Sequence, residues 1–247
     1  MKLKEFFEEY KKVAVAFSGG VDSAYLLYAA KKYGANVRAY YVKTAFQPEF
    51  EFEDAKRLAD ELKADLKVIS LDILSFPDVT ANDPLRCYYC KQKIFGNIIK
   101  AASEDGFEVL CDGTNASDDA GDRPGMRALK ELNVYSPLRI CGLTKDEIRR
   151  LSKEAGLFTW DKPAYACLAT RVPTGTAITG EILSKTERVE DYLFKAGFTD
   201  FRVRYAGGAA KVQLNEDQFD AFMSKRKEIT EELKKYYSGV LLDLEGR

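Results

Sequence analysis

The chain has 247 residues, with 38 basic and 39 acidic side chains, five cysteines and no histidine. A formal net charge of −1 gives no general positive field to hold nucleic acid, and no run approaches the roughly 18 apolar residues that a membrane helix needs. The absence of histidine excludes Ser-His-Asp and Cys-His catalysis and every imidazole-ligated metal site. The N-terminal stretch MKLKEFFEEYKK does not have the pattern of a signal peptide, so we expect a cytoplasmic protein whose cysteines are thiols or metal ligands.

The first predicted elements lead into a turn rich in small residues. An amphipathic helix is predicted over Lys2–Lys12, and the apolar residues Val13–Phe17 predict a buried strand of a parallel sheet. The turn Ser18–Gly20 follows, and Asp22 or Ser23 is placed to cap the next helix. A strand, a turn and a helix N-terminus together form an anion site, because free backbone N–H groups and the positive end of the helix dipole converge there.

The sequence of this turn, SGGVDS, narrows the kind of anion site. It is neither GxGxxG nor a Walker A loop, since no Lys-Ser or Lys-Thr follows the glycines. It resembles the pyrophosphate loop of the ATP pyrophosphatases, which cleave ATP to AMP and pyrophosphate. That resemblance implies an ATP site and a place for Mg²⁺ beside Asp22. The residues predicted to hold the phosphates are Ser18, Gly19, Gly20, Val21, Asp22 and Ser23.

Further strands and helices alternate at intervals of roughly 30 residues. The first full helix is predicted to end at Gly34, followed by a strand over Asn36–Val42, a helix over Pro48–Ala64 and a strand over Leu66–Ile73. This alternation predicts an α/β fold with a doubly wound, mainly parallel sheet, in which ligands bind beyond the carboxyl ends of the strands.

A CxxC pair precedes the fourth strand. In DPLRCYYCK a helix is predicted to begin near Cys87, which would place Cys87 and Cys90 on one face. The pair alone is compatible with a redox couple, half of a zinc site, part of an iron–sulfur site or two inert small side chains.

The predicted strand Phe107–Cys111 is followed by a polar segment at the same edge of the sheet. Asn115 and its neighbours are candidates to face nucleotide, magnesium or substrate, and the alternative is a solvated loop. Those neighbours are Asp118, Asp119, Asp122 and Arg123. The segment GTNASDD is similar to one that follows a strand in several ATP pyrophosphatases.

Beyond this loop, Ser136–Ile140 is predicted as a short extended piece, and Thr144 with Glu147 forms a capping box for a helix. Cys111 and Cys141 are predicted to be buried apolar side chains in or beside strands.

The stretch Phe158–Gly180 has neither helical nor strand periodicity. A structureless run of this length in a compact domain is usually functional or disordered, and its Trp160, Tyr165, Cys167 and Arg171 are a poor composition for disorder. We therefore predict an active-site segment.

The C-terminal residues predict a small α+β domain. Its elements are a helix over Glu181–Ala196, strands over Phe201–Tyr205 and Lys211–Leu214 around a Gly207–Gly208 turn, a long helix from Asn215 capped with Gln218, and a strand over Gly239–Leu244. Arg202 and Arg204 face one way on a strand, either to bind a substrate phosphate or as exposed charges. We place the domains at 1–178 and 179–247, the second serving substrate binding or oligomerisation.

Six motifs occur in an order and spacing that resemble the LarE family of ATP-dependent sulfur transferases. They are SGGVDS, RCYYCK, DGTNASDD, DRPGMRAL, LTKDEIR and KPAYACLATRVPTG. The resemblance extends from about Lys12 to Glu245 and implies a homo-oligomer. It also implies adenylation of a carboxylate of a pyridinium mononucleotide and its conversion to a thiocarboxylate in nickel-pincer cofactor biosynthesis.

In this family the sulfur-donating cysteine falls on Cys167. Arg171 lies four residues later and is expected to contact the acyl-adenylate or the substrate phosphate, or to lower the pKa of the thiol. A single-cysteine version sacrifices its sulfur and becomes dehydroalanine. Because Cys87 and Cys90 are also present, the chain resembles the three-cysteine version, in which Cys87, Cys90 and Cys167 hold a [4Fe-4S] cluster with one iron free for an extra sulfide. This resemblance implies that the cluster delivers the sulfur, and the sacrificial donor is the alternative. A segment around Ala206–Gly208 is less polar than in relatives.

Three other functions use part of the same pattern. A tRNA-thiolating enzyme would share the ATP chemistry, but the sequence pI near 5.8 and the lack of a basic, aromatic-interleaved stripe count against it. An amide-forming synthetase would need no cysteine at Cys167, and a nucleotide sensor would leave the three cysteines unexplained.

Overall fold

The computed structural model describes residues 1–118 and 124–246. The chain divides into two compact units. The first consists of residues 1–73 and 85–164, and the second takes residues 74–84 and 165 onward. The second unit thus contains more than the predicted small domain, whose boundary at residue 178 stays a prediction.

Helices and strands follow the predicted alternation. The helices are α1 (Leu3–Glu9), α2 (Val21–Lys32), α3 (Glu49–Glu61), α4 (Pro77–Thr80), α5 (Arg86–Glu104), α6 (Pro124–Glu131), α7 (Pro137–Ile140), α8 (Lys145–Glu154), α9 (Gly180–Lys195), α10 (Phe219–Ser224) and α11 (Arg226–Leu233). The strands are β1 (Lys12–Ala16), β2 (Asn36–Lys43), β3 (Asp65–Ser70), β4 (Val109–Cys111), β5 (Arg202–Ala206), β6 (Ala209–Gln213) and β7 (Val240–Leu242). Within the two described ranges, no helix has the length and hydropathy that crossing a membrane requires.

The first unit is built on a parallel four-stranded sheet with the order β3-β2-β1-β4. Val13 of β1 lies opposite Val37 of β2 on one side and Val109 of β4 on the other. The predicted α/β class with a mainly parallel sheet is confirmed. The central position of β1 places the turn that follows it at the middle of the carboxyl edge, where such sheets bind ligands.

Both faces of this sheet are covered, which explains the unbroken apolar run in β1. Val13 and Val15 contribute to one core cluster with α1, α2, α3 and α8, whereas Ala14 contributes to a second cluster with α5. Alternate residues of a strand point to opposite faces, so burial on both sides removes the alternation of polar and apolar residues.

The second unit contains a three-stranded sheet with the order β5-β6-β7. β5 and β6 form an antiparallel hairpin, and β7 lies parallel to β6. The hairpin turns at Gly207 and Gly208, whose φ angles of 56° and 94° favour glycine. The apolar residues of this sheet pack with α9, α10 and α11.

Two predicted elements are wrong. Ser136–Ile140 is not extended: Pro137 begins the short helix α7, since proline fixes φ at a helical value in the first turn. The long helix predicted from Asn215 is instead a 3₁₀ turn at Glu216–Gln218 followed by α10 and α11. They break at Lys225, whose ammonium donates a hydrogen bond to the Ala196 carbonyl.

Candidate active site

The turn after β1 changes the direction of the chain through Gly19, which has φ of 73°. Gly20 is the N-cap, and α2 begins at Val21. The predicted cap at Asp22 or Ser23 is therefore wrong, because both residues lie inside the first turn of α2. Their side chains are left for other contacts.

Ser18 and Ser23 hold the turn together from inside. The Ser23 hydroxyl donates to the Gly20 carbonyl at 3.2 Å and accepts from the Ser18 backbone N–H at 3.2 Å. The two hydroxyl oxygens are 3.1 Å apart. The conformation of the turn is thus fixed by short side chains that leave its outer surface open.

Two glycines allow the backbone to approach neighbouring elements. A Cβ on Gly19 would stand 2.9 Å from the Ala55 Cβ of α3, and a Cβ on Gly113 would stand 2.9 Å from the Ser23 backbone nitrogen. Distances below 3.0 Å are not seen for real Cβ atoms. The turn is therefore clamped between α3 and the loop after β4.

Asp22 has two partners from distant parts of the chain. Its Oδ2 accepts from the Lys145 ammonium at 2.5 Å, and its Oδ1 accepts from the Asn115 side-chain amide at 3.3 Å. The Lys145 and Asp22 side chains are 30% and 23% exposed, so the pair is open to solvent. The structure thus brings the predicted site residues Asp22 and Asn115 together.

A cavity of about 350 Å³ opens beside the turn. One wall is apolar and comes from α5, through Ile94, Phe95 and Ile98. Polar groups from the carboxyl ends of the strands line the other parts. They are Ser18, Gly20, Asp22, Ser23, Asp112, Thr114 and Asp118. An apolar wall opposite a polar edge suits a ligand that has both a ring and charged groups.

Lys91 of α5 also lines this cavity. Burial lowers the pKa of its ammonium, and the charge of Asp112 opposes that change. The Asp112 carboxylate accepts from the hydroxyls of Thr114, at 2.5 Å, and Ser136, at 2.7 Å. A cation in a partly desolvated place interacts strongly with an anionic ligand, because water screens it less.

The polar loop after β4 is described as far as residue 118. The Asp118 carboxylate accepts from the Asn115 backbone N–H at 2.8 Å and lines the cavity. Asp119, Asp122 and Arg123 lie outside the described residues.

The cysteines differ in their surroundings. Cys111 is buried in β4, where desolvation raises its pKa, and half-buried Cys141 follows α7 rather than a strand. Cys87 is exposed, and Cys90 lies one turn further along α5. Among residues 1–118 and 124–246, no group of three or more Cys, Asp or Glu side chains is arranged to hold a metal ion. The three-thiolate site that includes Cys167 stays a prediction.

The segment predicted to be irregular, Phe158–Gly180, contains two 3₁₀ turns, at Phe158–Asp161 and Leu168–Arg171. Trp160 belongs to the first unit, where its carbonyl accepts from the Arg149 guanidinium at 2.7 Å.

Cys167 belongs to the second unit and is the N-cap of the second 3₁₀ turn. The last residue of that turn, Arg171, is fully buried and forms a two-pronged ion pair with Glu190 of α9, at 2.8 and 3.1 Å. Its remaining donors reach the Ala166 carbonyl and the Thr170 hydroxyl, both at 2.9 Å. Burial lowers the pKa of Arg171, but the hydrogen bond and charge of Glu190 outweigh it and raise the pKa. This geometry favours a role for Arg171 in positioning residues 165–171, which we call the Cys167 loop.

The half-buried Tyr165 contacts the same ion pair. Its hydroxyl donates to the Glu190 carboxylate, and its ring lies 4.6 Å from the Arg171 guanidinium and 5.3 Å from that of Arg202. Glu190 also accepts from the Val203 backbone N–H at 2.9 Å. One carboxylate thus connects α9, β5 and the Cys167 loop.

Arg202 and Arg204 lie on β5 as predicted. Arg202 is 7% exposed, so it is not an exposed strand charge, and burial with the nearby charge of Arg171 lowers its pKa. Arg204 donates to the Thr170 carbonyl at 2.8 Å and to the Gln213 side chain.

Comparison with known proteins decides the family. The chain is 31% identical to the pyridinium-3,5-bisthiocarboxylic acid mononucleotide synthase of Lactiplantibacillus plantarum over 242 residues, covering 97% of this chain and 88% of the synthase. The chain belongs to the LarE family of sulfur transferases. This LarE-family chain is also 34% identical to an uncharacterised protein of Synechocystis, over 99% of its own length and 92% of that protein.

Two broader similarities agree with the fold of this LarE-family protein. Residues 12–81, which include the SGGVDS turn, match the family model of the queuosine biosynthesis protein QueC. A tRNA-specific 2-thiouridylase MnmA of Pseudothermotoga lettingae is 29% identical over 187 residues, covering 61% of this chain and 54% of the MnmA.

Sequence reasoning missed four residues of this LarE-family site. Three of them lie inside the motifs RCYYCK, DGTN and LTKDEIR: Lys91, Asp112 and Lys145. The motifs contain these residues but do not indicate what each of them contacts. Glu190 is different: the periodicity of α9 places it on the buried face with Leu183, Thr186 and Leu193, but the helical pattern does not show which group pairs with its carboxylate.

Proposed function

We propose that this LarE-family protein is an ATP-dependent sulfur transferase. It adenylates a carboxylate of a pyridinium dicarboxylate mononucleotide and converts it to a thiocarboxylate in nickel-pincer cofactor biosynthesis. The observation that carries the proposal is the cavity beside the SGGVDS turn, where Asp22, held by the Asn115 amide, and Lys91 line the space next to an apolar wall. The Lactiplantibacillus plantarum relative, a pyridinium-3,5-bisthiocarboxylic acid mononucleotide synthase, suggests the substrate class.

The first half-reaction activates the carboxylate. A substrate carboxylate oxygen attacks the α-phosphorus of ATP, the bond to the β-phosphate oxygen breaks, and pyrophosphate leaves. The SGGVDS turn and the N-terminus of α2 stabilise the charge on the phosphates. The apolar wall of Ile94, Phe95 and Ile98 suits the adenine ring.

Mg²⁺ fits this site. Mg²⁺ is commonly held by one or two carboxylates together with substrate phosphates, so a cage of protein ligands is not required. The Asp22 carboxylate forms an ion pair with the Lys145 ammonium, so it is placed to interact with a cation, and Asp118 lines the same cavity. When bound, the metal would neutralise charge on the departing pyrophosphate.

The second half-reaction forms the carbon–sulfur bond. The Cys167 thiolate attacks the carbonyl of the acyl-adenylate, and AMP leaves, which gives a thioester on Cys167. Release of the thiocarboxylate then requires loss of the Cys167 α-proton and cleavage of its Cβ–S bond, leaving dehydroalanine. The Arg171–Glu190 pair keeps the Cys167 loop in place during these steps.

The sequence predicts that a [4Fe-4S] cluster on Cys87, Cys90 and Cys167 delivers the sulfur, with the sacrificial cysteine as the alternative. Cysteine thiolates are the usual ligands of such clusters. Among the described residues, no group of three such ligands is arranged to hold a metal.

The phosphate of the mononucleotide has a candidate site in the second unit. Three guanidinium groups lie close together there: Arg171 and Arg202 both contact the Tyr165 ring, and Arg204 donates to the Thr170 carbonyl beside Arg171. The excess positive charge suits an anionic substrate.

The test of the first half-reaction is release of AMP and pyrophosphate from ATP with a pyridinium dicarboxylate mononucleotide. Wild type should release both, and Asp22→Ala should release neither while remaining folded, whereas Asp191→Ala, at an exposed position of α9, serves as the control. Wild-type turnover in Asp22→Ala would reject the assignment of Asp22.

The sulfur source is tested after anaerobic reconstitution with iron and sulfide. A single turnover with a loss of one H₂S from Cys167 by mass spectrometry supports the sacrificial route. About four irons per chain that are lost in Cys87→Ala and in Cys167→Ala, together with multiple turnovers, support the cluster.

A tRNA-thiolating activity is the second candidate, since MnmA proteins share part of the chain. Adding tRNA to the same assay separates the substrates: AMP release that depends on tRNA and not on the mononucleotide would favour it.

A further inference from the structure

Lys145 is a cation in a place that disfavours cations. It is the first residue of α8, a ten-residue helix whose N-cap Thr144 accepts from the Glu147 backbone N–H. The N-terminus of a helix carries partial positive charge, so a lysine there is less favourable than an acidic or neutral residue. The placement therefore needs a compensating reason.

The compensation seen in the structure is the Asp22 carboxylate. The Lys145 ammonium lies 2.5 Å from Asp22 Oδ2, and the two residues are 123 positions apart in the chain. Asp22 itself lies in the first turn of α2 and lines the cavity. The ammonium is thus one hydrogen bond away from the cavity, close to the N-terminus of α2 as well as to that of α8. Both helix ends attract anions, and the lysine adds a full positive charge.

We propose that Lys145 is a phosphate-binding residue that exchanges partners when nucleotide binds. Without nucleotide its ammonium binds Asp22. When a nucleoside triphosphate enters, the Asp22 carboxylate would hold the accompanying Mg²⁺, and the Lys145 ammonium donates its hydrogen bonds to oxygens of the β- and γ-phosphates instead. Three rotatable N–H donors on a flexible stem make lysine suited to such a transfer.

This inference rests on the proposed ATP site and extends it to the leaving group. A positive charge beside the β- and γ-phosphates stabilises the departing pyrophosphate, and the Lys145 ammonium that supplies it does not contact the adenosine. It also predicts discrimination: the residue should matter for ATP and for pyrophosphate, and not for AMP.

The test measures binding and needs no turnover. Dissociation constants for α,β-methylene-ATP, pyrophosphate and AMP are determined by calorimetry, with Mg²⁺ and with EDTA, for wild type, Lys145→Met and Lys145→Arg. Lys153→Met, which removes a lysine from the last turn of the same helix, is the control. Thermal melts establish that each variant is folded.

With Mg²⁺ present, Lys145→Met should weaken binding of the ATP analogue and of pyrophosphate at least tenfold and change the AMP constant less than twofold. Lys145→Arg should recover most of the loss, and Lys153→Met should resemble wild type. Equal weakening for AMP and the ATP analogue would show that Lys145 only holds Asp22 in place, and unchanged constants for both would also overturn the inference. If wild type itself bound no ATP analogue, the proposed ATP site would fail instead. Should Lys145→Met not fold, a Lys145→Gln variant undergoes the same comparison.

Discussion

The SGGVDS turn and the Cys167 loop are both irregular segments with predicted catalytic residues, yet they are held in different ways. The turn is fixed by glycines that permit close backbone approach and by two serine hydroxyls. The Cys167 loop is fixed by a buried ion pair, Arg171 with Glu190, which also receives Tyr165. Small uncharged groups and close backbone contacts determine the conformation of the turn, and a buried ion pair determines that of the Cys167 loop.

The two segments also differ in whether their charged side chains remain exposed to solvent. The turn uses uncharged groups for its own structure, so the charges of Asp22 and Lys145 remain partly exposed. The Cys167 loop uses its charges for its own structure and keeps them out of water. A buried ion pair contributes little net stability when complete, but becomes costly once one partner is lost.

The largest expected effect follows from breaking that ion pair. Glu190→Ala leaves the Arg171 guanidinium buried without its carboxylate, so we expect a loss of about 3–5 kcal/mol in the free energy of unfolding. Urea denaturation measures this, and Glu181→Ala at the exposed start of α9 should change stability by less than about 0.5 kcal/mol. A loss below about 1 kcal/mol for Glu190→Ala would show that the pair does not hold the loop.

The corresponding change in the turn is Gly19→Ala. A left-handed φ costs a non-glycine residue roughly 1–2 kcal/mol, and the clash with Ala55 adds an overpacking cost, so we expect about 2–4 kcal/mol in total. Gly34→Ala is the matched control, because Gly34 has φ of 78° but no atom within 4 Å of an added Cβ. Equal losses of stability in the two variants would show that the close approach of Gly19 to α3 contributes no additional cost.

Gly113→Ala isolates the close approach from backbone strain. Gly113 has no left-handed φ, and its added Cβ would stand 2.9 Å from the Ser23 nitrogen. We expect a loss of about 1–3 kcal/mol from overpacking, together with weaker binding of an ATP analogue because the start of α2 must shift. Calorimetry measures the binding of the ATP analogue, and denaturation of the same preparation measures the free energy of unfolding. A loss of stability with unchanged binding would show that the contact between Gly113 and Ser23 does not affect the nucleotide site.

The smallest effect concerns Asp105, a surface carboxylate that serves as a reference for buried Glu190. Hydrogen bonds from Lys67 and Tyr40, with Arg38 nearby, lower the pKa of Asp105 from 3.8 to about 2. Because the folded pKa is depressed, the stabilisation is present above about pH 4 and is lost as the pH falls from 4 toward 2. Asp105→Asn should therefore lose less stability than wild type between about pH 5 and pH 2.5, and Asp191→Asn should follow wild type. Parallel curves for wild type and Asp105→Asn would contradict the interaction.

The sequence was sufficient for the parts of the molecule that depend on neighbours in the chain. The apolar run of β1, the glycines of the turn and the capping box of α8 each report local geometry, and each was predicted. The capping error at Asp22 is also local: Gly19 turns the chain so tightly that α2 begins at Val21, which leaves Asp22 inside the helix.

The partners of the site residues were not predictable in this way. Glu190 is 19 positions from Arg171, and Lys145 is 123 positions from Asp22. Neither pair has a periodic relation in the chain, so only the tertiary fold shows that Arg171 is buried with a carboxylate. The expectation that Arg171 contacts the acyl-adenylate stays a prediction, although its donors are used within the second unit.

The second unit includes residues 74–84, which come from the first half of the chain, and this affects how the protein folds during synthesis and how it can be truncated. Asn82 is buried, and its amide donates to the carbonyls of Val172, Pro173 and Thr176. During synthesis, the 80 residues from Leu85 to Ala164 must be added before those carbonyls begin to emerge. At about 5–20 residues per second, residues 74–84 wait roughly 4–16 s. A gene fragment that stops at residue 164 would likewise leave Asn82 without these acceptors, so the first unit cannot be obtained cleanly by truncation alone.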